Sequence, residues 1–463
     1  MRKTISIRLL AGFFALILLL MPCLSFGAPM DLDAEPEPEV EKPKVDSSGR
    51  PIMPDGAAAV LIEQVSGALL YESNGQKRMF PASTTKVMTC LLAVEAIERG
   101  EMALDEPITV TEQMLEGLDP DGTNMALKPE EVLTVEQLLW GLMIPSGNDA
   151  AMVFAFRLAG SEAAFAEQMN NRARELGCTD TNFVNPHGLH DDNHYTTAQD
   201  MAKIAKKGMD KPMFRDVVDI AHIKIPPTNK TEEERYYINT NGLISAMRYR
   251  EYVYKGSTGI KTGRTTEAGA CLVSSARKNG MELIGVFFHG RDVTESHQET
   301  ARMLDWGFEN YESIRAIAEG ELLGECKVKR ARGKDTVTLA AADDVRVVVP
   351  KGTPKSELMN RLDLPENLYA PLAEGQDVAG VTVLRDGQEL GFGRLITLTA
   401  MKRSFFWPLM ALGDWLWGFA LIRGICYVML AILTAVVFLL ARGVWMEFRR
   451  AKRRKGRRNS SNH

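Results

Sequence analysis

Residues 269–288 read GACLVSSARKNGMELIGVFF. Two runs of apolar and β-favouring residues, 269–277 and 281–288, flank Lys278-Asn279-Gly280. Asn-Gly between such runs is a strong hairpin signal, because both residues accept the positive φ of a tight turn. A second hairpin is expected well upstream, AAVLIEQ (58–64) and GALLYES (67–73) around Val65-Ser66-Gly67. Between the two hairpins the period changes. From Ser83 to Gly100, Val87, Leu91 and Val94 follow i, i+4, i+7 spacing, Met88 and Leu92 widen the stripe, and a helix is expected. Another opens at Thr134, where Gln137 completes a T-x-x-Q capping box, and runs to about Met143. Pro145 interrupts it, a further helix covers roughly 149–176, and a long one covers about 295–319. Strands at both ends with helices between them imply one α+β domain, 55–320.

The texture changes after Gly320. CKVKRA, TVTLAA, VRVVVP, VTVLRDGQEL and GRLITLTA are short strands separated by turns, and residues 321–400 read as a small β-sandwich domain without a catalytic cluster. Upstream of the α+β domain, residues 29–54 hold six prolines and the acidic run DLDAEPEPEVEKPK, an extended linker.

The chain of 463 residues carries a formal charge of -5, but its ends differ sharply from its body. Arg2, Lys3 and Arg8 precede the apolar run Leu9–Met21, and small residues follow, so 1–28 reads as a secretory signal. At the other end, 18 uncharged residues lie between Arg423 and Arg442. Extended to Met446 they form a membrane helix over 424–446, preceded by an interfacial segment, 401–423. Trp407, Trp415, Trp417 and Trp445 flank that span. The tail, 447–463, contains RRAKRRKGRR, and residues 442–463 sum to +8. A basic flank places that tail in the cytoplasm and the preceding chain outside. Residues 28–441 are left with -16, an acidic body that disfavours nucleic acid as partner.

Three short motifs stand in order within 55–320. Ser83-Thr84-Thr85-Lys86 puts a hydroxyl and an amine on one helix face, and a neutral lysine one turn away can take a serine's proton. Lys86 needs a depressed pKa for this, from burial or a neighbouring cation. Ser146-Gly147-Asn148 lies in the break between two helices; its hydroxyl can relay protons and its amide can hold a peptide, although S-G-N alone is also a helix-capping turn. Lys261-Thr262-Gly263 precedes the 269–277 strand: lysine and hydroxyl together hold a carboxylate, Gly263 lets a substrate chain lie against a strand edge, and Lys261 can supply the cation beside Lys86. No cofactor and no metal site is expected. His190 and His194 fit H-x-x-x-H but sit in a polar stretch without helical period. Cys90, Cys178, Cys271 and Cys326 show no close or metal-like spacing and read as buried thiols.

S-x-x-K, S-D-N and K-T-G together are the signature of penicillin-binding proteins and class A β-lactamases. FPASTTKVMT, MIPSGNDAA, NFVNPHGLHDDNHYTTAQDMAKIAK and GIKTGRTTEAGACLVSSA resemble the serine D-alanyl-D-alanine carboxypeptidases, the low-molecular-mass penicillin-binding proteins. The resemblance runs from about 55 to 400 and implies a β-lactamase/transpeptidase-like catalytic domain followed by that family's β module. It also implies peptidoglycan stem peptides as substrate and β-lactams as covalent inhibitors. Carried across, it makes Ser83 the acylated nucleophile, Lys86 its base, Ser146 the proton relay and Asn148 the substrate-orienting amide. Lys261 and Thr262 become the binders of the terminal D-alanine carboxylate. The oxyanion hole would use the backbone N–H of Ser83 and one just after K-T-G. Gly147 departs from the Asp of S-D-N, and Arg264, where related enzymes vary, is a candidate for substrate choice.

With Lys86 in the base position, His187 and His194 read as loop or structural residues, and Thr196 or Thr197 as the cap of the following helix. Two other readings stand beside the leading one. A class A β-lactamase needs a positioned Glu for deacylation, and no E-x-x-L-N-type segment follows Ser146. A non-catalytic peptidoglycan-binding or antibiotic-sensing protein would keep the fold without the turnover.

Overall fold

The computed structural model describes residues 44–119, 122–405, 408, 412, 415 and 420–459. The signal sequence, most of the linker, Trp407 and Trp417 lie outside the described residues. The end of the expected linker is structured. Val45 bridges Pro51, the Tyr71 hydroxyl donates to the Pro51 carbonyl at 2.6 Å, and Arg302 donates to the Ile52 carbonyl at 2.9 Å. Met53 is buried there, and its apolar contact outweighs the proline-rich composition that suggested a spacer.

Both expected hairpins form: β1 (Ala58–Glu63) with β2 (Leu69–Ser73), and, further on, β8 (Gly269–Lys278) with β9 (Met281–Gly290). Short strand pairs lie between them, β3 (Pro107–Thr109) with β4 (Val132–Thr134) and β5 (His222–Ile225) with β6 (Arg235–Ile238). Asn279 and Gly280 close the second large hairpin at φ 52° and 75°, which keeps Lys278 opposite Met281. With β7 (Ser257–Thr265) they make one antiparallel sheet in the order β2-β1-β9-β8-β7, so β1 docks on a partner more than two hundred residues away.

Alternation along β1 divides the core. Ala58, Val60 and Ile62 face the helical side with Ile284, Val286 and Phe288. Ala59 and Leu61 face the other side with Leu283, Phe287, Met303 and Leu304. The sheet is therefore covered on both faces.

The helix Lys86–Glu98 differs from its expected form. Every residue from Lys86 to Ala96 is buried, so the apolar stripe read in the sequence is one part of a helix enclosed on all sides. The expected helix 149–176 is two, Asn148–Ala159 and Glu162–Glu175. Gly160 adopts a left-handed φ of 78°, and the Ser161 side chain accepts the Ala164 N–H to start the second. Helices Ala198–Met209 and Pro212–Val218 follow, the first capped by Thr197.

The helix expected over 295–319 runs from Val293 to Asn310 and gives way to β10 (Tyr311–Ile317). Tyr311 and Ile314 continue the helical period. Ile314 instead lies opposite Val347, because antiparallel pairing with the valine-rich β13 (Val345–Pro350) overrides local propensity.

That strand opens the C-terminal β domain. Its larger sheet contains β11 (Leu322–Lys329), β12 (Thr336–Ala341), β14 (Met359–Asp363), β15 (Leu368–Tyr369), β16 (Asp377–Arg385) and β17 (Gln388–Thr397), in the order β14-β16-β17-β12-β11-β15. Val337, Leu339, Val347, Val381, Val383 and Leu395 fill its core.

Helix Ala420–Asn459 extends beyond both domains. Its stretch Arg423–Arg450 has a mean hydropathy of 2.6 and no burial within the protein. Ile425, Leu430, Val437, Phe438 and Leu440 are all exposed, and this apolar helix fits a membrane anchor.

Candidate active site

Ser83 lies in a one-turn 3-10 segment, Ala82–Thr85, that feeds directly into the central helix at Lys86. Ala82 enters it at a φ of +47°, which is strained backbone for a residue with a side chain. The loop Asn185–Leu189 packs against this turn. A Cβ on Gly188 would lie 1.8 Å from the Ala82 carbonyl oxygen, so only glycine permits the approach. Thr89 fastens the same loop by donating to the Pro186 carbonyl at 2.6 Å.

Lys86 is fully buried. Its Nζ lies 3.0 Å from Ser83 Oγ, 2.7 Å from Asn148 Oδ1 and 2.8 Å from the His187 carbonyl oxygen. Burial first, and then Lys261, hold its pKa well below the usual lysine range, against an opposing pull from Asp149. The amine is thereby poised to accept a proton from the hydroxyl beside it.

The K-T-G triplet precedes β8, as expected, and is itself part of a strand, β7. Lys261 lies opposite Val273 and Gly263 opposite Cys271, and the other edge of β7 has no strand partner in the sheet. Lys261 is buried, donates to the Thr262 carbonyl at 3.0 Å, and has its pKa lowered to about 7 by burial and then by Arg248. The Thr262 hydroxyl donates to Thr240 Oγ1 at 2.6 Å. A Cβ on Gly263 would meet the backbone nitrogens of Ser83 and Thr84 at 2.8 and 2.9 Å. The missing side chain therefore brings the strand against the Ser83 amide, beyond the role expected for it toward a substrate chain. Arg264 is exposed.

Ser146 lies in the turn between two helices at a φ of +74° and is nearly buried, but no hydrogen bond links its hydroxyl to Ser83 or Lys86. Asn148 is brought to the centre and points its amide oxygen at Lys86. Gly147 has a steric reason. A Cβ there would lie 2.8 Å from Asp149 Oδ1, 2.9 Å from Met125 Cγ and 3.0 Å from the Gly141 carbonyl oxygen, which leaves no room for the aspartate of S-D-N.

Neither His187 nor His194 bonds to Ser83. His194 Nδ1 accepts the Val184 N–H at 3.1 Å, so Nε2 carries the proton and donates to Thr85 Oγ1 at 2.8 Å. Burial lowers its pKa to about 3. His187 contributes its carbonyl to Lys86, and its Nε2 lies 3.5 Å from Glu162. His190 packs edge-on against Phe80, and no metal-holding cluster occurs among the described residues. Cys90, Cys178, Cys271 and Cys326 are buried free thiols.

The sequence reading missed Asp149 and Gly188. Asp149 had a visible signal, an acid directly after S-G-N at the head of the apolar helix NDAAMVFAF. Gly188 had none, since its need for glycine arises from a turn about a hundred residues away.

Residues 47–292 match the family described as D-alanyl-D-alanine carboxypeptidase, and 311–403 match the penicillin-binding protein 5 C-terminal domain. The chain is 31% identical over 363 residues to the D-alanyl-D-alanine carboxypeptidase DacF of Bacillus subtilis, covering 78% of this chain and 90% of that one. It is 30% identical to DacA of Escherichia coli K12 over 359 residues, 76% and 85% of the two chains. Penicillin binding protein 5 from Haemophilus influenzae superposes with a TM-score of 0.61 at 31% identity, over 76% of this chain and all of that one. The buried lysine beside an accessible serine thus occurs in a chain that belongs to the D-alanyl-D-alanine carboxypeptidase family of penicillin-binding serine hydrolases.

Proposed function

We propose that this carboxypeptidase removes the terminal D-alanine of a peptidoglycan pentapeptide through an acyl-enzyme on Ser83. The observation that carries the reading is the 3.0 Å approach of a fully buried, pKa-depressed Lys86 to Ser83 Oγ. Lys86 takes the hydroxyl proton as Oγ attacks the carbonyl carbon of the penultimate D-alanine. The oxyanion that forms is held by the Ser83 N–H and the N–H following Gly263. Collapse breaks the peptide bond, and the proton passes to the departing D-alanine amine, with Ser146 as relay. Water then releases the shortened peptide and regenerates Ser83.

Asn148 orients the substrate peptide, which lies along the free edge of β7. Thr262 and Lys261 bind the terminal carboxylate, and a nearby anion favours the charged form of Lys261. Exposed Arg264 borders that position and influences substrate choice. β-Lactams present a similar acyl group and acylate the same serine.

In a pentapeptide incubation followed by mass spectrometry, the full-length chain in detergent loses one alanine from the substrate, and Ser83→Ala loses none. Turnover or a penicillin adduct retained in Ser83→Ala overturns the reading.

The apolar C-terminal helix tethers the enzyme with the catalytic domain outside the membrane and the basic tail inside. Protease added to intact protoplasts then removes the catalytic domain and spares an epitope placed after residue 463. Digestion of that epitope reverses the orientation.

A further inference from the structure

Asp149 directly follows the S-G-N triplet and is 2% exposed. Its Oδ1 accepts the backbone N–H groups of Met125 and Ala150, each at 2.9 Å, and its Oδ2 accepts that of Leu127 at 3.1 Å. The same segment is held from its other side, where the Tyr237 hydroxyl donates to the Met125 carbonyl at 2.8 Å. The Asn148 N–H donates to the Thr123 carbonyl at 2.8 Å. Met125 fills the space that Gly141 and Gly147 leave open. Residues 123–127 thus form a wall against the turn that carries Ser146 and Asn148.

Three titratable groups face Lys86: Lys261 from β7, His187 from the 185–189 loop, and Asp149 from helix Asn148–Ala159. Asp149 in turn faces Lys86 and Tyr237. When Ser83 gives its proton to Lys86, a cation forms in a fully buried position already bordered by Lys261. Burial raises the Asp149 pKa against the pull of its backbone N–H bonds, and while it is ionised this carboxylate lowers the cost of that charge.

We propose that Asp149 is a positioning residue for acyl transfer: it clamps the 123–127 wall onto the Ser146–Asn148 turn and supplies the buried negative charge against which Lys86 takes up its proton. The proposal rests on Ser83 as nucleophile and Lys86 as base. That reading is checked separately by mass spectrometry of the penicillin adduct in wild type and its absence in Ser83→Ala.

The test measures penicillin acylation rate against pH for the full-length chain in detergent, with circular dichroism as the fold check. Removing the charge in Asp149→Asn makes Lys86 easier to deprotonate. The rising limb should therefore move toward acid pH by about half a unit or more, while the plateau rate falls about tenfold. Tyr237→Phe loosens the same wall without removing a charge, and should lower the rate several-fold with the limb unmoved. A folded Asp149→Asn whose limb stays at the wild-type pH overturns the proposal. So does an Asp149→Asn that fails to fold beside a Tyr237→Phe of wild-type rate, since the carboxylate then serves only the fold. An unfolded Asp149→Asn beside a slowed Tyr237→Phe supports the clamp.

Discussion

Between Tyr311 and Arg403 only Thr382 and Thr397 are buried polar residues, whereas the domain before it encloses Lys86, Asn148, Asp149, His187, His194 and Lys261. Both regions fold around close-packed apolar cores, and the β domain needs little else. An amine taken out of water costs several kcal/mol unless it gives up its charge or finds partners, so a fold that serves stability alone avoids it. The catalytic domain accepts two such lysines within one polar cluster. The contrast supports the proposed site, because perturbed titratable groups cluster where a fold serves reactivity.

The sharpest way to break that contrast is Lys86→Ala. It should slow penicillin acylation by about 10³-fold, read by gel fluorescence of a labelled penicillin. In wild type, acylation should rise with pH through the depressed Lys86 pKa, since only the neutral amine accepts the serine proton; a rate flat from acid to neutral pH contradicts the base assignment. Next in size, Gly263→Ala forces a methyl onto the Ser83 and Thr84 amides and should cost roughly 10²-fold in acylation, together with about 1–3 kcal/mol of stability by denaturant melting, because the atoms it meets are backbone and cannot swing aside. A smaller loss, about tenfold, is expected for Gly147→Ala, whose Cβ displaces Asp149 or Met125 from the wall. In the β domain the signature should invert. Leu395→Ala removes a fully buried side chain and should lower that domain's stability by about 2–5 kcal/mol by denaturant melting, with the acylation rate unchanged. Acylation falling in step with that loss would show that the two domains share one function.

The parts legible in the sequence were those fixed by neighbours a few residues apart. Asn279-Gly280 announced its hairpin, Thr134 and Gln137 their capping box, and Thr197 its helix start. The helix expected to 319 failed at Tyr311 because its competitor, β13, lies more than thirty residues further on. The break at Gly160-Ser161 was local and carried ordinary cap residues, but the apolar period ran through it. Of the site, all three motifs were readable. Ser146 remains the member that no hydrogen bond ties to Ser83 or Lys86.

By itself the sequence determined the order of segments, the two hairpins, the apolar C-terminal helix and the residue types available for acyl transfer, because each is encoded in short-range pattern and composition. The tertiary structure decided that Lys86 is wholly enclosed, that Lys261 stands near it, that Gly188 and Gly263 must lack side chains, and that Asp149 binds the opposite wall. Burial, field and close approach depend on what distant segments bring to one place, and no window along the chain contains them.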